Sequence, residues 1–118
     1  MIITKTIEEA RVARQQHALE TLGLVTTMGF LHEGHLQLVR RAKAENDRVV
    51  ATSFVNPKQF GPAEDLSRYP RDLQRDLHLL EAEGVDYVFV PGDDVIYPED
   101  YQTVVSVTGI TNYLEGAR

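Results

Sequence analysis

The sequence predicts an α/β protein with a mainly parallel sheet and flanking helices, and three observations carry that expectation. Short stretches around Leu24–Met28, Arg48–Val55 and Val85–Val90 have the near-continuous apolar, β-branched character of strands covered on both faces. Between them lie segments with helical spacing, the clearest being Leu73, Leu77 and Leu80 at i, i+4 and i+7. Glycine, proline and asparagine mark the junctions. Strands and helices alternating at this spacing imply parallel pairing through right-handed crossovers.

In chain order, Met1–Thr4 reads as a short strand. Thr6 then opens a helix, with Glu9 completing a Thr-x-x-Glu capping box and Ile7, Ala10 and Ala13 sharing a face; the helix fades between Gln16 and Leu22. Gly23 opens the second strand, Leu24–Met28. A helix is expected from Gly34 to Glu45, with Leu36, Val39 and Ala42 in phase, ending before an Asn46-Asp47 turn. Arg48–Val55 is the expected central strand. The run Asn56 to Pro62, with two prolines and a glycine, is a loop that follows a strand, where α/β proteins hold ligands. Pro70 is placed to start a helix over Arg71–Glu83, and Gly84 to end it. Val85–Val90 repeats the buried-strand composition, Asp93–Tyr101 reads as an acidic loop with at most one helical turn, and Thr103–Val107 as a β-branched strand. Beyond Gly109 the pattern fades.

The bulk composition narrows the function classes. One hundred and eighteen residues suffice for a single domain with one core, and 42% apolar with 25% charged residues is an ordinary globular balance. No apolar run approaches the roughly 20 residues that span a bilayer, and the N-terminus has no apolar signal core, so a cytoplasmic protein is expected. With no cysteine there is no disulfide or thiolate chemistry, and any metal falls to histidine and carboxylate. A net charge of −6 argues against long-range attraction for nucleic acid or anionic membranes. An anionic ligand must then be held by local geometry.

Such geometry is offered by Gly29 to Leu36, where His32 and His35 stand three residues apart around Gly34, between a strand and a helix. The free amides of a helix N-terminus and its positive dipole end favour a phosphate. Two imidazoles at i and i+3 can donate to oxygens that gain charge as pyrophosphate leaves. Gly34 keeps the backbone close to such a ligand. Read as an arbitrary pair, the same histidines are a surface turn and an N-cap, while metal ligation lacks a third ligand.

Further motifs extend this pattern: Thr27-Met28-Gly29, His32-Glu33-Gly34-His35, Ser53-Phe54-Val55-Asn56-Pro57, Gln59-Phe60-Gly61, Glu64-Asp65, Tyr69-Pro70-Arg71 and Asp76-Leu77. Together, from about Gly23 to Gly116, they resemble the pantothenate synthetase family, with the Phe-Val-Asn-Pro-x-Gln-Phe-Gly run far more specific than His-x-Gly-His. The resemblance implies a Rossmann-like nucleotidylyltransferase-type domain and a ligase that joins pantoate to β-alanine, with ATP cleaved to AMP and pyrophosphate through a pantoyl adenylate. It implies His32 and His35 as catalytic, phosphate-contacting residues, and Thr27, Met28, Gly29, His32, Gly34 and His35 as the ATP-binding set. Met28, Phe54, Asn56, Gln59 and Phe60 would form the pantoate pocket, amides serving the hydroxyls and aromatic rings the gem-dimethyl group. Asp76 matches a family position near Mg²⁺ and the phosphates, although its helical setting beside Arg75 reads as a solvated face. Arg71 and Arg75 read as surface charge, His17 and His78 as structural. The implied partners are pantoate, β-alanine, ATP with Mg²⁺, and a second copy in a homodimer.

Two positions depart from the family pattern, Thr26 where a proline is usual and Lys58 where an apolar residue is common. The family also continues past Gly116 with an H-F-x-G-type loop, a G-E-K-D-Y-Q segment, a K-x-S-x-R loop and a C-terminal domain. The 118 residues are therefore expected to be a single Rossmann-like domain, truncated and lacking the C-terminal domain, with part of the site. Alternative readings are another H-x-G-H adenylyltransferase, against which the Asn56–Gly61 run argues, and a non-catalytic α/β fragment.

Overall fold

The computed structural model describes residues 1–61 and 66–110. Four parallel strands, β1 (Ile2–Thr4), β2 (Leu22–Thr27), β3 (Arg48–Ser53) and β4 (Tyr87–Phe89), form one sheet in the order β1-β4-β3-β2. Helix α1 (Ile7–Gln15) links β1 to β2 across the sheet, α2 (Glu33–Glu45) links β2 to β3, and α3 (Leu73–Ala82) links β3 to β4. Because β1→β2 runs along the sheet opposite to β2→β3→β4, right-handed crossovers place α1 on one face and α2 and α3 on the other. The expected doubly covered parallel sheet is thus present.

Alternation within the strands sorts side chains between the faces. Val25, Ala51 and Val88 share register across β2, β3 and β4, and with Val49, Val39 of α2, Leu80 of α3, Leu31 and Val85 they form the core. Val39, Val49, Ala51 and Val88 have no solvent exposure. Each buried valine or leucine of this core stabilises the fold by about 1.5–3 kcal/mol. On the opposite face Tyr87 stacks against His17 at 6.4 Å, and His17 bonds Glu20 at 3.1 Å, the structural role expected of that histidine.

Element boundaries shift for identifiable reasons. Gly23 lies inside β2 rather than opening it, opposite Val49; a Cβ there would stand 3.0 Å from the Ala42 Cβ, so glycine lets α2 lie close to the strand. The Thr6 hydroxyl accepts from the Glu9 amide at 3.1 Å, while the Glu9 carboxylate reaches back to the Lys5 amide at 2.8 Å, one residue before the position expected for a capping box. Helix α3 starts after Asp72, whose carboxylate accepts from the Arg75 amide at 3.2 Å; this cap fixes the start later than Pro70 suggests. Gly84 takes a left-handed φ of 80° just past α3, as a helix end requires. Asp93–Ile96 form the single helical turn α4.

The segment Thr103–Val107, expected as a strand, takes no place in the sheet. β-branched composition favours a half-buried pleated surface, and here Val104 and Val105 are exposed, without the packing that makes the preference effective. The Glu64-Asp65 motif, Pro62 and the stretch beyond Ile110 lie outside the described residues.

Candidate active site

The site is built where the chain leaves the carboxyl ends of β2 and β3, the usual position for ligands on an open parallel sheet. After β2 the backbone turns sharply: Gly29 (φ 80°) and Phe30 (φ 50°) both adopt left-handed conformations. The Thr27 hydroxyl donates to the Thr52 carbonyl at 2.8 Å and accepts from the Gly29 amide at 3.1 Å, tying the turn to β3. Beyond it, both oxygens of Asp76 are taken by successive amides, Phe30 at 2.7 Å and Leu31 at 2.8 Å. Arg75 completes the clamp, donating to the Leu31 carbonyl at 2.9 Å with its guanidinium 5.6 Å from the centre of the Phe30 ring. A Cβ at Gly29 would sit 3.2 Å from both the Asp76 carboxylate and the Ser53 hydroxyl, in a conformation already strained for an L side chain.

Asp76 therefore corrects the expectation of a solvated face, since only 2% of it is exposed. The signal was present in the sequence: with Leu73, Leu77 and Leu80, position 76 falls at i+3 on the buried stripe of α3, and a carboxylate there needs donors of its own. Each of its oxygens accepts one amide of the turn, so the carboxylate anchors the Gly29–Phe30 turn. Among the described residues no group of three or more His, Asp or Glu side chains is placed to hold a metal ion. Arg75, expected as surface charge, is half exposed but engaged in the same clamp.

The two histidines are the cap of α2. The His32 Nδ1 accepts from the Gly34 amide at 3.0 Å, and the His35 Nδ1 accepts from the His32 amide at 3.1 Å, a reciprocal capping box made of imidazoles. The rings stand 4.0 Å apart at 35°. The cap and phosphate-binding readings are thus not exclusive. An Nδ1 that accepts a backbone N–H carries no proton, so each neutral ring holds its proton on Nε2, free to donate. Burial, and then the neighbouring His32, push the His35 pKa below its ordinary 6.5, with Asp76 opposing. His35 is accordingly neutral at pH 7, a hydrogen-bond donor rather than a cation.

An open cleft of about 530 Å³ lies beside this cap. It is lined by Met28, His35, Phe54, Asn56, Gln59 and Tyr69, together with Thr26, Thr27 and Thr52. The expected ATP and pantoate residues Thr27, Met28, His35, Phe54, Asn56 and Gln59 are thus brought together from two strands. His32 and Gly34 serve the cap from outside the cleft wall. Gly29 lines an adjoining hollow with Arg71 and Asp76. Phe60 stands one layer back, edge-on to the Tyr69 ring at 5.7 Å. Tyr69 also lines the cleft; in sequence it is separated from the cleft loops, and the fold alone returns it there. Lys58 points to the rings of Tyr97 and Tyr101, 5.6 and 5.5 Å away, which accommodates a charge at a position commonly apolar in the family.

Comparison with known proteins gives a consistent result. Residues 2–118 match a family model described as pantoate-beta-alanine ligase. A pantothenate synthetase from Roseiflexus sp. (strain RS-1) is 61% identical over 118 residues, covering 99% of this chain and 42% of the relative. Among solved structures, pantothenate synthetase from Thermus thermophilus superimposes with a TM-score of 0.91 at 52% identity, covering 99% of this chain and 42% of that one. A pantoate-beta-alanine ligase from Francisella tularensis, complexed with beta-gamma ATP and beta-alanine, also gives 0.91, at 39% identity over 99% of this chain and 46% of that one. The chain thus spans about two-fifths of the length of the relatives it matches.

Proposed function

The chain belongs to the pantoate-beta-alanine ligase family, and from that premise we propose that it supplies the ATP and pantoate half of an enzyme that condenses pantoate with β-alanine. The observation that carries this reading is the cleft in which His35 and Met28, from the β2–α2 turn, meet Phe54, Asn56 and Gln59 from the loop after β3. A nucleotide-handling element and a small polar pocket share one wall.

The chemistry follows from charge. Near pH 7 a carboxylic acid and an amine meet as carboxylate and ammonium, which do not condense. The pantoate carboxylate therefore attacks the α-phosphate of ATP, an O–P bond forms as the bond to pyrophosphate breaks, and the product is a pantoyl adenylate. The neutral amine of β-alanine then attacks the acyl carbon, forming the amide and releasing AMP. The protein's tasks are positioning and stabilisation of charge on departing oxygens. The Nε2–H groups of His32 and His35 donate to phosphate oxygens, and the α2 cap aims both rings. Asn56, Gln59 and Phe54 hold pantoate. Mg²⁺ would travel with the phosphates, with Asp76 in the adjoining hollow as the carboxylate nearest the turn. ATP as substrate supports a cytoplasmic location, and the outer edges of β1 and β2, unpaired among the described residues, support association as a homodimer.

The test is pantoate-dependent exchange of labelled pyrophosphate into ATP, measured on a protein extended to the length of the relatives. His35→Ala should slow the exchange at least about tenfold, or about 1.4 kcal/mol of transition-state stabilisation. An unchanged rate would remove His35 from the reaction.

A further inference from the structure

Asn56 sits in the cleft wall, yet its side-chain carbonyl is fully occupied. Oδ1 accepts from the Lys58 amide at 3.0 Å, closing the turn at Pro57–Gln59, and from the Tyr97 hydroxyl at 2.8 Å. A backbone N–H can only donate, so the Lys58 contact identifies Oδ1 independently of how the amide is drawn. With two donors on its oxygen, Asn56 has only its Nδ2 hydrogens left to offer the cleft.

Tyr97 is placed to enforce this from a distance. It ends α4, forty-one residues further along the chain, and is half-buried. Its ring lies 6.4 Å from Phe54, another cleft-lining residue, and 5.1 Å from Tyr101, with the Lys58 ammonium 5.6 Å away. These contacts hold the ring through its faces and edges, leaving the hydroxyl to Asn56. The Lys58 bond is local and exposed, whereas the Tyr97 bond ties the loop after β3 to the segment after β4.

We propose that Tyr97 is a positioning residue that sets Asn56 as a pure hydrogen-bond donor toward the cleft, so that this wall selects a substrate presenting an acceptor oxygen there. The inference deepens the proposed function, on which its substrate rests: pantoate offers acceptors in its carboxylate and hydroxyl oxygens, and an analogue with only a donor at that point would be rejected. Tyr97 touches no substrate and acts through Asn56.

The experiment uses Tyr97→Phe, which keeps every ring contact and removes the hydroxyl, in a protein extended to the length of the relatives. The KM for pantoate should rise about fivefold, the size expected for one hydrogen bond, with kcat, the KM for ATP and the thermal midpoint unchanged. Asn56→Asp keeps both accepted bonds and removes the donors, so in that background Tyr97→Phe should have no further effect on pantoate. An unchanged KM for pantoate, or a loss spread equally over kcat, both KM values and the midpoint, would overturn the proposal. The side-chain amide resonances of Asn56 separate the two readings. If Tyr97→Phe shifts them while the protein binds no pantoate, the positioning stands and the pantoate reading fails; if they do not move, the positioning fails whatever pantoate does.

Discussion

Two backbone amides converge on the Asp76 carboxylate at 2.7 and 2.8 Å in a setting with 2% exposure, and together they hold a turn in which consecutive residues have positive φ. Asp76→Asn changes almost no volume but turns an NH2 group toward an N–H donor, leaving two donors unsatisfied. The fold should lose about 2–3 kcal/mol, the cost of a buried polar group without its partner, measurable as a lower urea midpoint with an unchanged slope. A midpoint equal to that of the unsubstituted protein would show that water or a backbone shift satisfies these groups. The histidines were legible because their spacing around Gly34 at a helix start suits both a cap and a phosphate contact. Tyr97 and the partners of Asp76 and Arg75 were not, because those partners lie far along the chain: 46 residues separate Phe30 from Asp76 and 41 separate Asn56 from Tyr97.

Helix α2 is where local structure and chemistry coincide. Its reciprocal cap uses Nδ1 of both imidazoles as acceptors, so a proton on the His35 Nδ1 removes the bond from the His32 amide. The His35 pKa is lowered in the folded protein, by burial first and then by His32. A depressed folded-state pKa means that the unfolded chain takes up the proton first as pH falls. The contribution is therefore complete above the ordinary value of 6.5 and is lost as pH falls below it through the folded value. Urea midpoints at pH 7.5 and 5.5 should differ, and His35→Asn, whose Oδ1 can replace the Nδ1 acceptor without titrating, should narrow that difference. Equal pH dependence in the two proteins would contradict this account of the cap. Helix α3 was legible in its leucine spacing and in Gly84, whereas Thr103–Val107 joins no strand, because β propensity supplies no neighbour.

At the scale of the molecule, the order β1-β4-β3-β2 puts the carboxyl ends of β2 and β3 side by side and so makes one cleft from two loops. The same order leaves β2 paired only with β3 among the described residues, and Leu24, on the face opposite the core, is 61% exposed. The chain spans 42% of the Roseiflexus relative. The 118 residues alone should therefore form no detectable pantothenate from pantoate, β-alanine and ATP with Mg²⁺, while a version extended to the relatives' length should; product analysis by mass spectrometry decides, and turnover by the shorter chain would show the half site to be sufficient. By itself the sequence determined the α/β class, the alternation of strands and helices, the histidine pair at the α2 start and the amide-bearing loop after β3. Each of these follows from periodicity, capping or turn chemistry among residues close in the chain. Only the tertiary structure decided that the Asp76 carboxylate meets the Phe30 and Leu31 amides, that the imidazoles cap with Nδ1 and leave Nε2 to donate, and that the Tyr97 hydroxyl donates to Asn56. Burial and the direction of a hydrogen bond depend on which distant segments the sheet brings into contact.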